Sequence, residues 1–557
     1  MLPKGHDVDD PVVPIAESRA RPVWLPRVLA SFAALLALLS YLNALDNPFV
    51  YDDTREIIEN PSIGNFTNLS AIFRHYPTRP LTNLTYAVDF ALGGLAPRVF
   101  HVTSVALHVV NVLLLFTLVR LILGDSRSLG RRSALLPVAA FAASALFAVH
   151  PLLTEAVGYV SARAEVLVTT FCLASMLCFR AAATGSHVRS SLTAGALFFV
   201  LALGAKETAV MLPVLLVAYD RLMLHKTGER RSNTLSRVAL PLIAVALMLG
   251  ALRMWRYLQV EHPESAGFSF THLLTEIDVF RRYVWLLVFP VGQSLVPDVR
   301  LVQSPLEIDV LIAVLVIASM IAAGLVTRRH QPVIMLGIVW FFLMLLPSAA
   351  LIVIADRGEP MAEHRVYLAS CGFFMACAGF IALSRQNEAP RIRWRLTAVT
   401  LALVGALPTL TALTIARNRV WSDPVRLLAD AAGKAPDVWL AQYGLADAHR
   451  AQGNCEAAIP VYRRAIALRP QNADGHLGLA QCFLDTLQIN QARDTLRETI
   501  AQTPSDVRAH LALATMEERL FNRPDEALRL CREALVHVPS SDEARECVER
   551  LAGRRSK

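Results

Sequence analysis

The sequence predicts an all-α protein in which a bundle of about eleven membrane helices precedes a solenoid of helical repeats. Three observations lead to this prediction: the composition, a series of long apolar runs, and a regular spacing of prolines near the C terminus. Of the 557 residues, 54% are hydrophobic and only 18% are charged, against roughly a quarter charged in ordinary soluble proteins. This composition excludes a purely soluble enzyme and an intrinsically disordered chain.

Apolar runs of roughly 17–25 residues can cross a bilayer, and they define the membrane part. We expect spans at 24–45, 99–122, 134–150, 155–181, 190–204, 207–223, 237–256, 308–327, 333–355, 366–384 and 395–416. No small-residue cleavage site follows the first span, which we interpret as a retained anchor. The stretch 270–296 carries the charged side chains of Glu276, Asp278, Arg281 and Arg282, which make a simple crossing costly. We expect it to be interfacial or re-entrant.

The distribution of charge orients the bundle. Residues 419–557 carry 19 basic and 19 acidic side chains, so the net charge of +8 lies in residues 1–418. With eleven crossings, the short basic loops all fall on the N-terminal side, which is therefore cytoplasmic. We expect a cytoplasmic tail at 1–23, a transmembrane domain at 24–418 with a large outer loop at 46–98, and an outer repeat domain at 419–557. The basic loops indicate membrane orientation and no nucleic-acid partner.

Prolines spaced by 34, 34 and 35 residues mark an internal repeat: Pro436, Pro470, Pro504 and Pro539. Before them, an alanine and then a bulky side chain recur at the same step, as in Ala458 and Tyr462. This is the tetratricopeptide signature, with three full repeats over about 437–539. Such arrays form concave surfaces, so we expect a polypeptide to bind there. A structural or oligomerising array is the alternative.

Cysteines in the repeats allow two disulfides, Cys455 with Cys482 and Cys531 with Cys547, because antiparallel stacking brings these positions together. Two disulfides would fit an oxidising compartment outside the cytoplasm. Four buried free thiols are the alternative.

Ionisable residues within or beside membrane spans are costly, which makes them candidates for function. They cluster toward the outer side: Asp52, Asp53, Arg79, Glu155, Arg163, Glu165, Lys206, Glu207, His364 and Arg365. If Pro151 opens a helix, Glu155, Tyr159 and Arg163 lie on one face of it. In an extended loop adjacent side chains point opposite ways, so we expect only one of Asp52 and Asp53 to face an acceptor.

A carboxylate can serve as general base toward a hydroxyl, and cations can hold a phosphate leaving group. The cluster therefore suits transfer of a sugar from a lipid-phosphate donor that is dissolved in the bilayer. Two other classes stay open. One is a non-enzymatic, membrane-anchored repeat scaffold for envelope complexes, and the other is a flippase or transporter of lipid-linked sugars.

An ordered series of short motifs resembles the TMTC family, from about residue 24 to the C terminus. The motifs are Phe49-Val50-Tyr51-Asp52-Asp53, Arg79-Pro80-Leu81-Thr82-Asn83, Gly93-Gly94-Leu95, Phe100-His101, Leu107-His108, His150-Pro151, Glu155-Ala156-Val157, Arg163-Ala164-Glu165, Lys206-Glu207-Thr208 and Glu363-His364-Arg365-Val366-Tyr367. The resemblance implies a C-type (GT-C) glycosyltransferase core followed by tetratricopeptide repeats.

The resemblance also implies roles for individual residues in an inverting protein O-mannosylation. Asp52 aligns with the catalytic acid and Asp53 with its neighbour. Four cations are implied for the donor phosphate: Arg79, Arg163, Lys206 and Arg365. Glu155, Glu165 and Glu207, with His364, would position those cations or the sugar. No cofactor is required outright, and a divalent ion (Mg or Mn) at Asp52 and Asp53 stays open because GT-C enzymes differ in this.

Two features differ from the animal members of the family, and both bear on the compartment and the donor that we expect. The repeat array is short, and the Ala/Arg/Leu-rich composition indicates a bacterial member. We therefore expect an inner-membrane protein with its site and repeats in the periplasm, using a polyprenyl-phosphate-linked sugar. A eukaryotic member would lie in the endoplasmic reticulum membrane with lumenal repeats and use dolichyl phosphate.

Overall fold

A computed structural model of the chain describes residues 24–126, 135–224, 233–256, 267–355, 359–383 and 391–555. Every regular element in these ranges is helical, which confirms the all-α prediction. The expected cytoplasmic tail at 1–23 lies outside the described residues, as do most of the basic loops that orient the bundle.

Fifteen helices in the described ranges precede the repeats. They are α1 Leu25–Tyr41, α2 Leu69–His75, α3 Pro80–Gly93, α4 Pro97–Asp125, α5 Leu135–Val149, α6 Thr154–Gly158, α7 Arg163–Ala183, α8 Val188–Ala205, α9 Leu212–Tyr219, α10 Asn233–Arg256, α11 Phe270–Val288, α12 Ile308–Thr327, α13 Pro332–Ala355, α14 Tyr367–Leu383 and α15 Arg391–Val420. Short 3₁₀ segments at Val160–Ala162, Glu207–Met211 and Glu363–Val366 connect several of them.

Eight helical segments in the described ranges are long and apolar enough to cross a membrane, and a pair bent by 53°, Leu136–Val149 with Pro151–Gly158, makes up to nine. The chain is therefore a multi-pass membrane protein, with fewer clear spans than the eleven expected. Two expected spans differ in form. The segment at 207–223 is broken into a 3₁₀ turn, α9 and a π-helical turn, and only Val238–Leu252 of α10 is continuously apolar.

Close backbone approach holds two membrane helices together. A Cβ atom on Gly337 of α13 would lie 2.4 Å from the carbonyl oxygen of Gly372 of α14, and one on Gly372 would lie 2.5 Å from the oxygen of Gly337. Small residues allow membrane helices to pack at this distance. This contact lies near the start of α14, which follows the Glu363–Val366 turn.

Eight further helices form antiparallel pairs at the C terminus: α16 Pro424–Lys434, α17 Trp439–Ala451, α18 Cys455–Leu468, α19 Ala473–Asp485, α20 Ile489–Gln502, α21 Val507–Arg519, α22 Pro524–His537 and α23 Asp542–Arg555. The core shared by α17 to α23 contains Ala458, Tyr462, Ala492 and Leu496, which are residues of the predicted repeat signature. A disulfide joins Cys531 and Cys547, whereas Cys455 and Cys482 are buried free thiols.

Candidate active site

The loop after α1 carries the two acids of the first motif, and the structure gives them opposite surroundings. Tyr51 adopts a left-handed backbone conformation (φ 53°), which turns the chain sharply just before them. Asp52 is exposed and Asp53 is buried. One acid of the pair is therefore available to a ligand and the other belongs to the interior.

Asp53 connects the loop after α1 to the 3₁₀ turn at Val160–Ala162 through hydrogen bonds. One of its carboxylate oxygens accepts hydrogen bonds from the backbone N–H (2.8 Å) and hydroxyl (2.6 Å) of Ser161. The other accepts one from the backbone N–H of Val50 at 3.1 Å. Burial raises the pKa of Asp53 to about 7, against the lowering effect of these hydrogen bonds.

This raised pKa predicts a pH-dependent stability. The folded state binds the proton more tightly than the unfolded state, so its stability falls as pH rises from the usual carboxyl range to about 7. We expect wild-type protein in detergent to melt at progressively lower temperature from pH 5 to pH 8 relative to Asp53→Asn. The free energy of unfolding changes by at most about 1.4 kcal/mol per pH unit from this one group. If the melting temperatures of the two proteins changed in parallel with pH, the raised pKa would not belong to Asp53.

Asp52 is oriented by Tyr159. The Tyr159 hydroxyl donates to Asp52 Oδ2 at 2.8 Å and accepts from the Asp52 backbone N–H at 3.1 Å. This pair of bonds ties both the side chain and the backbone of Asp52 to one ring. The bond from Tyr159 uses Oδ2 only, and the residue as a whole is exposed.

The expectation that Glu155, Tyr159 and Arg163 share a helix face is wrong. The helix ends at Gly158, and Tyr159 is extended (φ −99°, ψ 116°) before a 3₁₀ turn leads into α7. The break sends the three side chains in different directions. Glu155 contacts His364, Tyr159 contacts Asp52 and Arg163 contacts Asp89.

Arg163 lies away from the exposed acid, inside the protein. Its guanidinium pairs with Asp89 at 2.6 Å, donates to the Phe100 carbonyl at 2.7 Å and packs over the Tyr86 ring. The side chain is wholly buried. These contacts occupy its donors and give it a structural position that a phosphate does not reach.

Two other predicted cations pair with acids, one just before the start of α3 and one just after the end of α8. Arg79 precedes Pro80, the first residue of α3, and lies 3.5 Å from Glu207. Lys206 stands at the turn after α8 in an extended conformation, and its ammonium group contacts Glu165. The consecutive residues Lys206 and Glu207 thus bridge Glu165 and Arg79.

His364 and Arg365 enter the same region from the start of α14. His364 Nδ1 lies 2.5 Å from Glu155 Oε1, and His364 is within electrostatic range of Lys206, Glu165, Arg365 and Arg79. Arg365 donates to the Glu359 carbonyl at 2.8 Å. Nine of the ten predicted residues, all except Arg163, therefore belong to one connected region, in which Asp53 is a buried support.

The sequence interpretation missed two acids that join this region. Glu359 accepts a hydrogen bond from the Tyr51 hydroxyl at 3.1 Å, which closes the ring from Arg365 back to the loop. Glu56 lies within electrostatic range of both Asp52 and Arg79, and burial raises its pKa. The sequence could have indicated Glu56, because it follows Asp52 by four residues. No local sequence pattern indicates that Glu359 belongs to the region.

A cleft opens beside this region between α11 and α13. Its lining combines polar side chains with apolar ones: Glu276, Arg365, Ser348 and Tyr283 with Val279, Phe280, Leu345, Ala349 and Pro360. Glu276 and Arg365 share this lining, and the enclosed volume of about 10 Å³ holds roughly one water molecule.

The donor set at the two loop acids does not fit a metal centre. Asp53 uses both oxygens in protein hydrogen bonds. Within the described ranges, no three His, Cys, Asp or Glu side chains are grouped suitably for a metal ion. The residues around Asp52 and Asp53 therefore do not match the divalent ion that the family resemblance left open.

Comparison with known proteins identifies relatives over most of the chain. Tetratricopeptide-repeat family profiles match residues 421–473 and 449–516. Protein O-mannosyl-transferase TMTC4 of Mus musculus is 26% identical, covering 79% of this chain and 67% of the mouse protein. The Caenorhabditis elegans protein O-mannosyl-transferase F38B6.6 is 25% identical, covering 78% and 62%, respectively. The chain thus spans about two thirds of the length of these relatives.

A solved structure with overall similarity is ArnT from Cupriavidus metallidurans bound to undecaprenyl phosphate. It is 15% identical, covers 89% of this chain and 81% of ArnT, and has a TM-score of 0.33, which does not establish a shared fold. Human TMTC1, also a protein O-mannosyl-transferase, is 25% identical over 82% of this chain and 57% of its own length. Matches to several such proteins agree with the resemblance to the TMTC family that the sequence motifs indicate.

Proposed function

We propose that this protein is an inverting membrane glycosyltransferase. It moves a hexose, with mannose the first choice, from a polyprenyl- or dolichyl-phosphate donor to the hydroxyl of a Ser or Thr in a polypeptide. The observation that carries this proposal is the exposed Asp52 carboxylate. Tyr159 orients it, and it shares one polar region with Arg79, Lys206 and Arg365.

Asp52 acts as the general base in this proposal. The acceptor oxygen attacks the anomeric carbon and forms the new glycosidic bond, while the bond from that carbon to the phosphate oxygen breaks. The electron pair of the broken bond leaves with the lipid phosphate, and the acceptor proton moves to Asp52. A positioned base contributes about 10²- to 10⁴-fold to such a step.

Two cations, Arg79 and Arg365, hold the phosphate, and Lys206 supports them. Arg79 is partly exposed, with Glu207 on one side, and its Nε has no hydrogen-bond partner among the described residues. Arg365 faces the cleft, and Lys206 supports them from the interior through Glu165. Fixed cations stabilise the charge that develops on the leaving phosphate. Arg163 has no part in this set because Asp89 and Phe100 occupy it.

The sugar lies between the phosphate and Asp52. The second carboxylate oxygens of Glu155 and Glu165 are buried and have no hydrogen-bond partner within the described ranges. A buried acceptor without a donor is costly, and sugar hydroxyls supply such donors.

The compartment follows from the charge distribution of the sequence. The site and the repeats face away from the cytoplasm, in the periplasm if the protein is bacterial and in the endoplasmic reticulum lumen if it is eukaryotic. The repeats, at 419–557 in our division of the chain, would bind the acceptor polypeptide beside the membrane domain at 24–418.

A donor assay in nanodiscs tests this proposal. Purified protein would be offered a panel of polyprenyl-phosphate sugars with Ser/Thr peptides and cell-envelope proteins, and release of polyprenyl phosphate would be followed by mass spectrometry. We expect release with one hexose donor and covalent transfer to an acceptor. If no donor is consumed by folded protein under any of these conditions, the glycosyltransferase assignment fails and the scaffold becomes the better interpretation.

A further inference from the structure

The base of the repeat array reaches the proposed catalytic acid through two stacked aromatic rings. Trp421 follows α15 directly and precedes α16, the first helix of the array. Its indole stacks on the Tyr159 ring with centroids 5.7 Å apart and planes inclined by 28°. Trp421 is 1% exposed and Tyr159 is 3% exposed, so each ring is held on all sides.

Tyr159 is the contact between this stack and Asp52. Its hydroxyl proton is directed to Asp52 Oδ2, and its oxygen receives the Asp52 backbone N–H. The helix break at Tyr159 leaves it on a short extended connection, which alone does not fix the ring. Packing against Trp421 supplies the constraint that the local backbone lacks.

The array base is itself fixed to the membrane part. Trp421 belongs to an apolar cluster that combines both parts of the chain: Val50, Tyr159, Ala162, Leu295 and Val296 with Leu427, Leu428 and Ala431. Polar contacts surround the cluster. Arg417 pairs with Asp430 at 2.7 Å, and Lys434 donates to the Gln293 carbonyl at 2.5 Å. A displacement of α16 would therefore also displace the loop that carries Asp52.

We propose that Trp421 is a positioning residue for the transfer reaction. By fixing the Tyr159 ring, it holds Asp52 Oδ2 in the tyrosine hydrogen bond and leaves Oδ1 directed at the acceptor. The inference rests on the proposed function and extends it, because the array becomes part of the active site as well as a binding surface. A displacement of about 1 Å in such a group costs up to about 100-fold in rate.

The test compares Trp421→Ala and Trp421→Phe with wild type, using the donor found in the panel and a short Ser/Thr peptide. Trp285→Ala is the matched control, because Trp285 is an exposed tryptophan of α11 outside the site. We expect Trp421→Ala to lower kcat by about 10- to 100-fold with the donor KM within about twofold of wild type. Trp421→Phe should recover most of the rate because it keeps an aromatic face, and Trp285→Ala should match wild type.

A second comparison keeps the test decisive if Trp421→Ala unfolds. Tyr159→Phe removes only the hydroxyl, and we expect it to lower kcat as well. If Trp421 acts through Tyr159, then Trp421→Leu, which keeps an apolar side chain but removes the aromatic face and should lower kcat by itself, combined with Tyr159→Phe should lose no more than Tyr159→Phe alone. Additive losses, or an unchanged kcat in folded Trp421→Ala, would overturn the positioning role while leaving the glycosyltransferase intact. A wild type that consumes no donor would instead remove the proposed function itself.

Discussion

Asp52→Asn is expected to abolish sugar transfer, lowering kcat by about 10²- to 10⁴-fold, while the protein still inserts and folds. The amide keeps the shape of the side chain and an oxygen that accepts from Tyr159, but it cannot take the acceptor proton. Asp52 is exposed, so its charge does little for stability. The measurement is release of polyprenyl phosphate by the two proteins in nanodiscs.

Asp46→Asn serves as the matched control for this variant. Asp46 is an exposed acid in the same loop and pairs with Arg98 at 3.1 Å, outside the polar region. Asp46→Asn should transfer sugar at the wild-type rate. Full activity of Asp52→Asn on a verified acceptor would remove Asp52 as the base and would require another carboxylate, such as Glu155, in that role.

Arg163→Met is expected to prevent stable folding. Removing one partner of a buried ion pair leaves an uncompensated charge and costs about 3–5 kcal/mol, and here the orphan would be the Asp89 carboxylate. The loss should appear as low yield and early melting in detergent. Combining Arg163→Met with Asp89→Leu removes both charges and should restore much of the stability.

This pair of variants separates a structural role from phosphate binding. If Arg163 bound the donor phosphate, Arg163→Met would fold and raise the donor KM, and the Asp89 substitution would not rescue it. Arg98→Met is the comparison at an exposed ion pair, which Arg98 forms with Asp46. We expect it to change the free energy of unfolding by no more than about 1 kcal/mol. Equal effects at the two arginines would contradict the buried assignment.

Several features of this protein could be predicted from the sequence because they depend on local periodicity. The apolar runs locate most of the membrane helices, since a bilayer demands a minimum length of apolar helix. The repeat is readable because each unit has the same packing requirement at Ala458 and Tyr462 and their equivalents. The structure exposes Asp52 and buries Asp53, but the extended loop from which we expected opposite side chains is wrong. Tyr51 is left-handed and Asp53 is helical at the start of a π-helical turn.

Most of the charged residues of the polar region could also be grouped from the sequence. Lys206 and Glu207 mark a turn between apolar segments, and His364 and Arg365 open another. Charges in such places are expensive unless they meet, so their convergence is the least costly outcome. This reasoning identifies the members of the region, but it does not assign their partners.

Only the tertiary structure decided which residue meets which. Arg163 looked like a ligand for phosphate, yet Asp89 from α3 reaches it across the fold and makes it structural. Tyr159 left its expected helix face because the chain breaks there, and this turns it to Asp52 on one side and to Trp421 on the other. Contacts between residues far apart in sequence carry no local pattern. Their pairing depends on how the helices pack, and that was decided by burial of the whole chain.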